Sequence, residues 1–260
     1  MTHLILTGAT GLAGSAFLSH ALSSPSISHV SILSRRPVPL ATSHPNAAKA
    51  TVHIHADFAT YPDSLLGSLH GATACVWALG GSSVGMSEAE YVRMTRDYPV
   101  AAASAFAELN KPGTGESAAR PFTFVYVSAD DADQAGTSSA LYRRVKGQAE
   151  RDLLSLMDAR PSLRVYNARA GAIIPDAGAW IADRPMMARE KYFYFPVAAP
   201  VLKKVYPNII SPTGKLAEAL VKLAIGDGES LGKEDGKNGL FNGGRTVGNK
   251  YLREMVGLPN

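Results

Sequence analysis

The length, composition and charge of the chain exclude several classes of protein. It has 260 residues, of which 46% are hydrophobic and 18% charged, as in ordinary globular domains. No stretch approaches the roughly eighteen uninterrupted apolar residues that indicate a membrane-spanning helix. The net charge is +4, but the Lys and Arg residues are scattered rather than clustered, so we expect no nucleic-acid binding. We expect this charge to attract a phosphorylated, anionic ligand instead.

Two local features bear on the cellular compartment. The first apolar run, residues 3–6, is too short for the core of a signal peptide, so we expect a cytoplasmic protein. The sequence has one cysteine, Cys75, which therefore has no partner for an internal disulfide bond. Its position inside the apolar run 73–79 predicts a small buried side chain rather than a reactive thiol.

Short apolar runs typical of buried strands alternate with segments of helical periodicity. Residues 3–6 form the first run, and residues 13–22 follow with apolar residues at helical spacing. Further strand-like runs are 29–33, 51–55, 72–79, 122–127 and 163–168, and further helical segments are 88–109, 139–157 and 215–225. Parallel strands need crossover connections, so the alternation predicts an α/β fold with a doubly wound parallel sheet, in one domain of residues 1–260. It leaves the strand order open.

The segments between these elements predict loops and one small lobe. Residues 36–45 and 111–121 are rich in Pro or Gly and read as loops, and residues 226–244 predict a mobile loop. Residues 175–212 are rich in aromatics and prolines, which predicts a C-terminal substrate lobe. Within the lobe, core packing is favoured over an apolar substrate pocket for the following side chains: Trp180, Met186, Met187, Tyr192, Phe193 and Tyr194.

A glycine-rich turn, TGATGLAG at residues 7–14, lies between the first strand and the first helix. Backbone N–H groups and the helix dipole at such a junction bind anions. We expect Gly8 to permit the tight turn, Gly11 to let the backbone approach a pyrophosphate, and Gly14 to allow close packing of the helix. Thr10 and Leu12 belong to the same predicted phosphate-binding loop. The alternative is a glycine-rich turn that binds nothing.

The end of the second strand predicts which dinucleotide binds. A site for NAD usually places an acidic residue there to bind the ribose 2′-hydroxyl, whereas this chain has Arg35 and Arg36. Their planar guanidinium groups suit a 2′-phosphate, so we expect NADPH; the alternative is solvated surface charge. By analogy with Rossmann folds, we place Asp57 and Phe58 near the adenine, and Leu79 and Gly80 near the ribose and pyrophosphate.

Three polar residues in the second half predict a catalytic site. Ser128 ends a buried strand at the carboxyl edge of the sheet, where open α/β sheets bind ligands. Tyr142 and Lys146 lie one helical turn apart on the same face. A phenol of pKa about 10 is a poor acid–base catalyst at neutral pH, and a neighbouring ammonium favours the phenolate. We expect Lys146 to supply that bias; the alternative is a solvated helix surface.

With these motifs the sequence resembles the short-chain dehydrogenase/reductases. It resembles in particular the atypical branch of Tat-interacting oxidoreductase-like proteins and their fungal mitochondrial-outer-membrane relatives. The resemblance covers most of the first 175 residues through the motifs 7–11, 34–36, 79–80, 96–98, 127–130, 141–142, 145–150 and 169–171. It implies NADPH binding, Ser128 as the group that orients a carbonyl or hydroxyl, Tyr142 as acid–base residue and Lys146 as ligand of the nicotinamide ribose. It also implies cofactor contacts from Arg169, Ala170 and Gly171, where the family usually has Arg-Pro-Gly.

Three functions are compatible with these residues. The first is an NADPH-dependent oxidoreductase that reduces a carbonyl of a mainly apolar small molecule, with Tyr142 as general acid. The second is a non-redox isomerase, epimerase or cyclase, and the third a regulatory protein that senses NADPH, because fold alone does not decide function. We expect no metal site. A homodimer, and peripheral association with the mitochondrial outer membrane in place of a cytoplasmic location, are left open.

Overall fold

The computed structural model describes residues 2–109, 120–176, 197–233 and 237–259. The strands are β1 Thr2–Thr7, β2 Ile27–Ser34, β3 Ala50–Ile54, β4 Ala74–Trp77, β5 Phe122–Ala129, β6 Leu163–Ala170, β7 Ala172–Ile174, β8 Ile210–Pro212, β9 Leu240–Phe241 and β10 Thr246–Val247. The helices are α1 Leu12–Ser23, α2 Leu40–Ser43, α3 Asp63–Ser68, α4 Glu88–Val92, α5 Tyr98–Phe106, α6 Leu141–Ala159, α7 Ala199–Val205, α8 Thr213–Ile225 and α9 Asn249–Glu254.

The main sheet has eight strands in the order β3-β2-β1-β4-β5-β6-β10-β9. Its neighbouring strands are parallel except for the antiparallel pair β9–β10. Strands β7 and β8 form a separate parallel pair. The predicted doubly wound parallel sheet is therefore confirmed. The chain starts at β1, winds outward to β3 and then returns to β4 on the other side, and ligands bind at the carboxyl ends of strands at such a reversal.

Both faces of the sheet are covered, which explains the uninterrupted apolar strands. Successive side chains of β1 point to opposite faces: Leu4 and Leu6 pack with α1 and α8 on one side, and Ile5 packs toward α5 and α6 on the other. All three side chains are fully buried. Cys75 on β4 is buried as predicted, and burial raises the pKa of its thiol well above the usual value.

The predicted helix 88–109 has a break in its hydrogen-bond pattern. Helix α4 and helix α5 are joined by a π-helical turn, Arg93–Asp97. Pro99 explains the break because it has no N–H group to donate to the carbonyl oxygen of Thr95, four residues earlier. The hydroxyl of Tyr126 donates to that oxygen instead, at 2.9 Å. A break in one helix thus positions a side chain of β5.

Two segments predicted as loops contain packed elements. Residues 36–45 include α2, whose Leu40 and Ala41 are buried. Residues 226–244, predicted as a mobile loop, include β9, and Leu240 is 1% exposed. Arg245 also anchors this stretch by donating to the carbonyl oxygen of Gly228 at 2.6 Å. The prediction was wrong there because strand β10 extends the sheet beyond β6 and pairs with β9, a contact that local composition does not reveal.

The centres of two other predicted segments lie outside the described residues. These are residues 111–119 of the predicted loop 111–121 and residues 177–196 of the predicted lobe, including Trp180, Met186, Met187, Tyr192, Phe193 and Tyr194. The described parts of the lobe, residues 175–176 and 197–212, include α7 and β8, and β7 ends just before the lobe begins. Among the helices of the described ranges, none combines the length and apolar character needed to cross a membrane.

Candidate active site

The glycine-rich turn after β1 is built by close contacts that exclude side chains. Gly8 has φ +71°, and a Cβ placed on it would lie 2.3 Å from the carbonyl oxygen of Ala78. A Cβ on Gly14 would lie 2.1 Å from the carbonyl oxygen of Gly8, whereas one on Gly11 would meet the same oxygen at 3.2 Å. The predicted tight turn and close helix packing are confirmed. Gly11 is the least crowded of the three.

The turn ends at the N-terminus of α1. Gly11 is the N-cap residue and has no side chain to cap the helix, and Leu12 is the first helical residue. The first N–H groups of a helix have no intrahelical acceptor, so they are available for an anion. Thr10 lies within the turn, and the hydroxyl oxygen of Thr7 accepts the N–H of Leu79 at 3.3 Å. The turn is thereby joined to the residue that follows β4.

A cleft of about 270 Å³ is lined in part by residues that follow β2, β3 and β4. It is lined by Arg35, Phe58, Leu79, Met86, Glu90, Arg93, Met94 and Tyr98. Three residues predicted around the adenosine end of the cofactor, from the ends of β2, β3 and β4, are therefore brought together. Arg36 and Asp57 are not among the lining residues, and Gly80 is exposed with open space around it.

Arg93 and Tyr98 line the cleft but were not predicted from sequence. The guanidinium of Arg93 lies 5.4 Å from the centroid of the Tyr98 ring, and its Nη2 lies 3.5 Å from Oδ1 of Asp57. Phe58 is fully buried and packs edge-on against Trp77 beneath them, with 5.8 Å between ring centroids. The sequence does contain a signal for both residues. They belong to the helical segment predicted after β4, and a segment that follows a strand starts at the carboxyl end of the sheet, where the crevice lies.

Ser128 lies near the carboxyl end of β5, and Lys146 of α6 reaches the residue before it. The hydroxyl of Ser128 is buried, and no described residue accepts or donates a hydrogen bond to it. The Nζ of Lys146 donates to the carbonyl oxygen of Val127 at 3.2 Å and lies 5.4 Å from the centroid of the Tyr126 ring. Burial lowers the pKa of Lys146 to about 8, opposed by the charges of Glu150 and Asp131.

Tyr142 lies one turn before Lys146 but forms its hydrogen bond elsewhere. Its hydroxyl donates to Oδ2 of Asp131 at 2.5 Å. This hydrogen bond, and then burial, raise the pKa of Tyr142, while Arg143 opposes them. The expectation that Lys146 lowers the pKa of Tyr142 is wrong for this arrangement, because a carboxylate accepts the phenolic hydrogen and so stabilises the neutral phenol.

The loop between β5 and α6 brings Asp131 to Tyr142. Asp133 closes this loop by accepting the N–H groups of Ser138, at 2.6 Å, and Ala135, at 2.9 Å. The loop then packs directly on α6, where a Cβ on Gly147 would lie 1.9 Å from the carbonyl oxygen of Asp133. Glycine at position 147 is therefore required for this contact. Sequence reasoning missed Asp131, because its role depends on how the loop folds back.

The predicted residues 169–171 are engaged in contacts within the protein. Arg169 pairs with the fully buried Glu150, with Nη2–Oε2 at 2.6 Å and Nε–Oε1 at 2.9 Å. The carbonyl oxygen of Ala170 accepts the N–H of Asp130 at 2.8 Å. A Cβ on Gly171 would lie 2.1 Å from the carbonyl oxygen of Ile209. These residues tie β6 to α6 and to the segment before β8, and their contact with a cofactor stays a prediction.

Comparisons with known proteins agree on the fold. No protein-family model matches the chain. The chain is 39% identical over 171 residues, 66% of its length, to leucinostatins biosynthesis cluster protein T of Purpureocillium lilacinum, and it spans 58% of that protein. Among solved structures, an oxidoreductase of the short-chain dehydrogenase/reductase family from Burkholderia thailandensis matches with TM-score 0.64 at 16% identity, covering 97% of this chain and 93% of that one.

Two further structures match at similar levels. The WbmF enzyme of Bordetella bronchiseptica, solved with NAD⁺, has TM-score 0.61 at 13% identity and covers 100% of this chain and 79% of its own. Vestitone reductase from alfalfa has TM-score 0.60 at 18% identity and covers 87% and 74%. At these identities the likeness establishes the fold: the chain has the Rossmann-type α/β fold that short-chain dehydrogenase/reductases share. The finer resemblance to the Tat-interacting branch stays a prediction.

Proposed function

We propose that the chain is an NADP-dependent reductase of the short-chain dehydrogenase/reductase type. Its substrate would be a carbonyl group on a mainly apolar small molecule, with Tyr142 as general acid. One observation carries the proposal: at the carboxyl end of β5, the buried hydroxyl of Ser128 has no partner among the described residues, and the ammonium of Lys146, one helical turn from Tyr142, donates to the carbonyl oxygen of the preceding residue, Val127. The glycine-rich turn after β1 opens at the same edge of the sheet.

The residues of the crevice fit a dinucleotide. Glycines at positions 8, 11 and 14 leave three positions of the turn and of the first helical turn without a side chain, around the first N–H groups of α1. Backbone N–H groups placed in this way suit a pyrophosphate. The proposed contacts are as follows: Gly8, Thr10, Gly11, Leu12 and Gly14 for the pyrophosphate; Arg35 and Arg36 for the 2′-phosphate; Asp57 and Phe58 for the adenine; Leu79 and Gly80 for the adjoining ribose and pyrophosphate; Lys146, Arg169, Ala170 and Gly171 for the nicotinamide end.

The reaction divides between the cofactor and the chain. A nicotinamide held by the proposed contacts at Lys146, Arg169, Ala170 and Gly171 would supply the hydride for the carbonyl carbon. The hydroxyl of Ser128, which has no acceptor among the described residues, donates to the carbonyl oxygen and orients it. Tyr142 then transfers its phenolic proton to that oxygen, a step of general acid catalysis typically worth about 10²–10⁴-fold. The guanidinium of Arg143, which donates to the phenolic oxygen at 3.1 Å, would stabilise the phenolate left behind.

Two observations bear on the substrate class. An apolar substrate follows from the alternative interpretation of the aromatic and methionine residues of 177–196, as the lining of a pocket rather than part of the core. The name of the fungal relative places that protein in a biosynthesis cluster. We therefore propose that carbonyl compounds made by biosynthetic enzymes are the first to test. The homodimer, the cytoplasmic location and the alternative at the mitochondrial outer membrane stay predictions.

A substrate screen tests the proposal. Purified protein is incubated with NADPH and a panel of aldehydes and ketones, and the loss of NADPH absorbance is followed. We expect oxidation of NADPH that depends on the carbonyl compound and that Tyr142→Phe reduces about 10²–10⁴-fold. NADPH binding without oxidation by any carbonyl would instead favour the sensing protein. Conversion of a substrate to its isomer without net consumption of NADPH would favour an isomerase, epimerase or cyclase.

A further inference from the structure

The hydroxyl of Tyr142 is held by two charged side chains, which we call the phenol clamp: Asp131 and Arg143. Oδ2 of Asp131 accepts the phenolic hydrogen at 2.5 Å. The Nε of Arg143 donates to the same Oδ2 at 2.8 Å and to the phenolic oxygen at 3.1 Å. The three groups thus form a closed triangle of hydrogen bonds. The phenolic hydrogen lies on the side of Asp131, and the guanidinium holds the carboxylate in place.

We propose that Asp131 is a positioning residue that keeps the phenol of Tyr142 protonated and ready to donate until a substrate oxygen displaces the carboxylate, and that Arg143 is a positioning residue that holds the carboxylate and the phenolic oxygen in place. This inference rests on the proposed function of Tyr142 as the acid. A carboxylate and a carbonyl oxygen are both acceptors, so the substrate would take over a hydrogen that Asp131 already orients. The Tyr142 hydroxyl would then exchange the carboxylate of Asp131 for the carbonyl oxygen of the substrate, and its hydrogen would not be left without an acceptor.

The other groups around Tyr142 do not replace the clamp. Lys146, one turn along α6, donates to the carbonyl oxygen of Val127. From α4, Tyr91 faces the phenol, and burial is the main cause that raises the pKa of Tyr91. Glu88 of the same helix pairs with Arg144 at 3.7 Å. The pKa of Tyr142 is raised first by its hydrogen bond to Asp131, and Arg143 opposes the rise. The two members of the clamp therefore act on Tyr142 in opposite directions.

Because Asp131 and Arg143 shift the pKa of Tyr142 in opposite directions, the clamp can be tested without a substrate. The protein is labelled with tyrosine carrying ¹³C at Cζ, the Tyr142 signal is assigned by its loss in Tyr142→Phe, and its ionisation is followed by NMR against pH. The test variants are Asp131→Asn, which keeps the shape and an acceptor oxygen but removes the charge, and Arg143→Gln. The matched control is Asp130→Asn, because the neighbouring Asp130 accepts the N–H of Asn249 at 2.9 Å and does not belong to the clamp.

We expect Tyr142 to ionise at lower pH in Asp131→Asn, at higher pH in Arg143→Gln, and at the parent pH in Asp130→Asn. A Tyr142 midpoint that is the same in Asp131→Asn and Asp130→Asn overturns the proposal. Circular dichroism identifies any variant that fails to fold, and Arg143→Gln then decides the question alone: an unchanged or lower midpoint overturns the proposal.

Kinetics separate this inference from the proposed function. Carbonyl reduction needs the protonated phenol, so the alkaline limb of kcat should move to lower pH in Asp131→Asn and to higher pH in Arg143→Gln. If no carbonyl compound is reduced by the parent protein, the proposed function fails whatever the NMR shows. If reduction occurs but its alkaline limb stays at the parent pH in both variants, the clamp has no role in catalysis and only the inference fails.

Discussion

Gly8 lies so close to Ala78 that a Cβ on the glycine would stand 2.3 Å from the carbonyl oxygen of the alanine. The turn after β1 and the end of β4 are therefore in direct contact at the point where the strand order reverses. A ligand in the crevice would meet backbone from both strands. The contact explains why a glycine is needed at this position, beyond its φ of +71°.

We expect Gly8→Ala to lower the free energy of unfolding by about 1–3 kcal/mol, because it combines backbone strain with a steric clash. NADPH affinity should fall as well, since the loop must move. Urea unfolding and nucleotide titration measure the two effects. Gly67→Ala in α3, where a Cβ meets nothing within 4 Å, is the control and should be neutral or stabilising by up to about 1 kcal/mol. Equal stability of the two variants would contradict this account of the turn.

Replacement of Arg35 should separate NADPH from NADH. Arg35 lines the cleft and Arg36 does not, so we expect Arg35→Ala to weaken NADPH binding by about tenfold or more and Arg36→Ala to weaken it less. NADH affinity, which involves no 2′-phosphate, should change little in either variant. Calorimetric titration of both nucleotides gives the comparison. If a variant that carries both Arg35→Ala and Arg36→Ala binds NADPH as tightly as the parent protein does, the assignment of the 2′-phosphate site is refuted.

Tyr142 and Lys146 should differ in what their replacement removes. Tyr142→Phe loses only a hydroxyl, so nucleotide affinity should stay near the parent value while turnover falls. Lys146→Met should reduce both nucleotide affinity and turnover, because we assign its ammonium to the nicotinamide ribose. Nucleotide titration and single-turnover kinetics on the same preparations distinguish the two patterns. Intact NADPH affinity in Lys146→Met would show that the lysine does not contact the cofactor.

The ion pair of Arg169 and Glu150 should matter strongly for stability. Arg169→Met leaves the fully buried Glu150 carboxylate without its cation, which typically costs about 3–5 kcal/mol. The double variant with Glu150→Gln removes the unpaired charge, so we expect it to regain part of that loss. Chemical unfolding of the parent and the three variants forms a double-mutant cycle. Additive effects in this cycle would mean that the two residues do not act as a pair.

A cluster of histidines should make the protein sensitive to mild acid. His3, His29 and His53 lie on the adjacent strands β1, β2 and β3, and burial is the main cause that lowers the pKa of each. For His3 the pKa falls from 6.5 to about 4, with the charges of the other two adding to the effect of burial. The unfolded chain then binds protons that the folded chain does not.

The sign of the pH dependence follows from these shifts. The free energy of unfolding should be at its full value above about pH 6.5 and fall as the pH drops toward 4. We expect His3→Gln to flatten this decline by about 1–2 kcal/mol, after allowance for partial exposure. His20→Gln is the control, on helix α1 away from the cluster. Parallel stability curves for the parent and His3→Gln between pH 4 and 6.5 would rule out His3 as a source of acid sensitivity.

The sequence by itself determined the parts of the protein whose signals are local. The strand-like runs, the helix after the glycine turn and the fold class are confirmed, because buried parallel strands and amphipathic helices have short-range periodicities. The placement of Tyr142 and Lys146 on one face of a helix was also predictable, because it depends on the spacing within a single helical turn. The predictions that failed or were incomplete, at residues 226–244 and in the helix 88–109, involved partners distant in sequence.

Only the tertiary structure decided what each candidate residue contacts. Because Pro99 has no N–H group, the carbonyl oxygen of Thr95 accepts a hydrogen bond from Tyr126 of a distant strand instead. This hydrogen bond places an aromatic ring beside Lys146. Asp131 reaches Tyr142 because its loop folds back onto α6 at Gly147. Residue types and spacing specify which chemical groups are present, but their hydrogen-bond partners and charges, and hence their pKa values, depend on contacts across the fold.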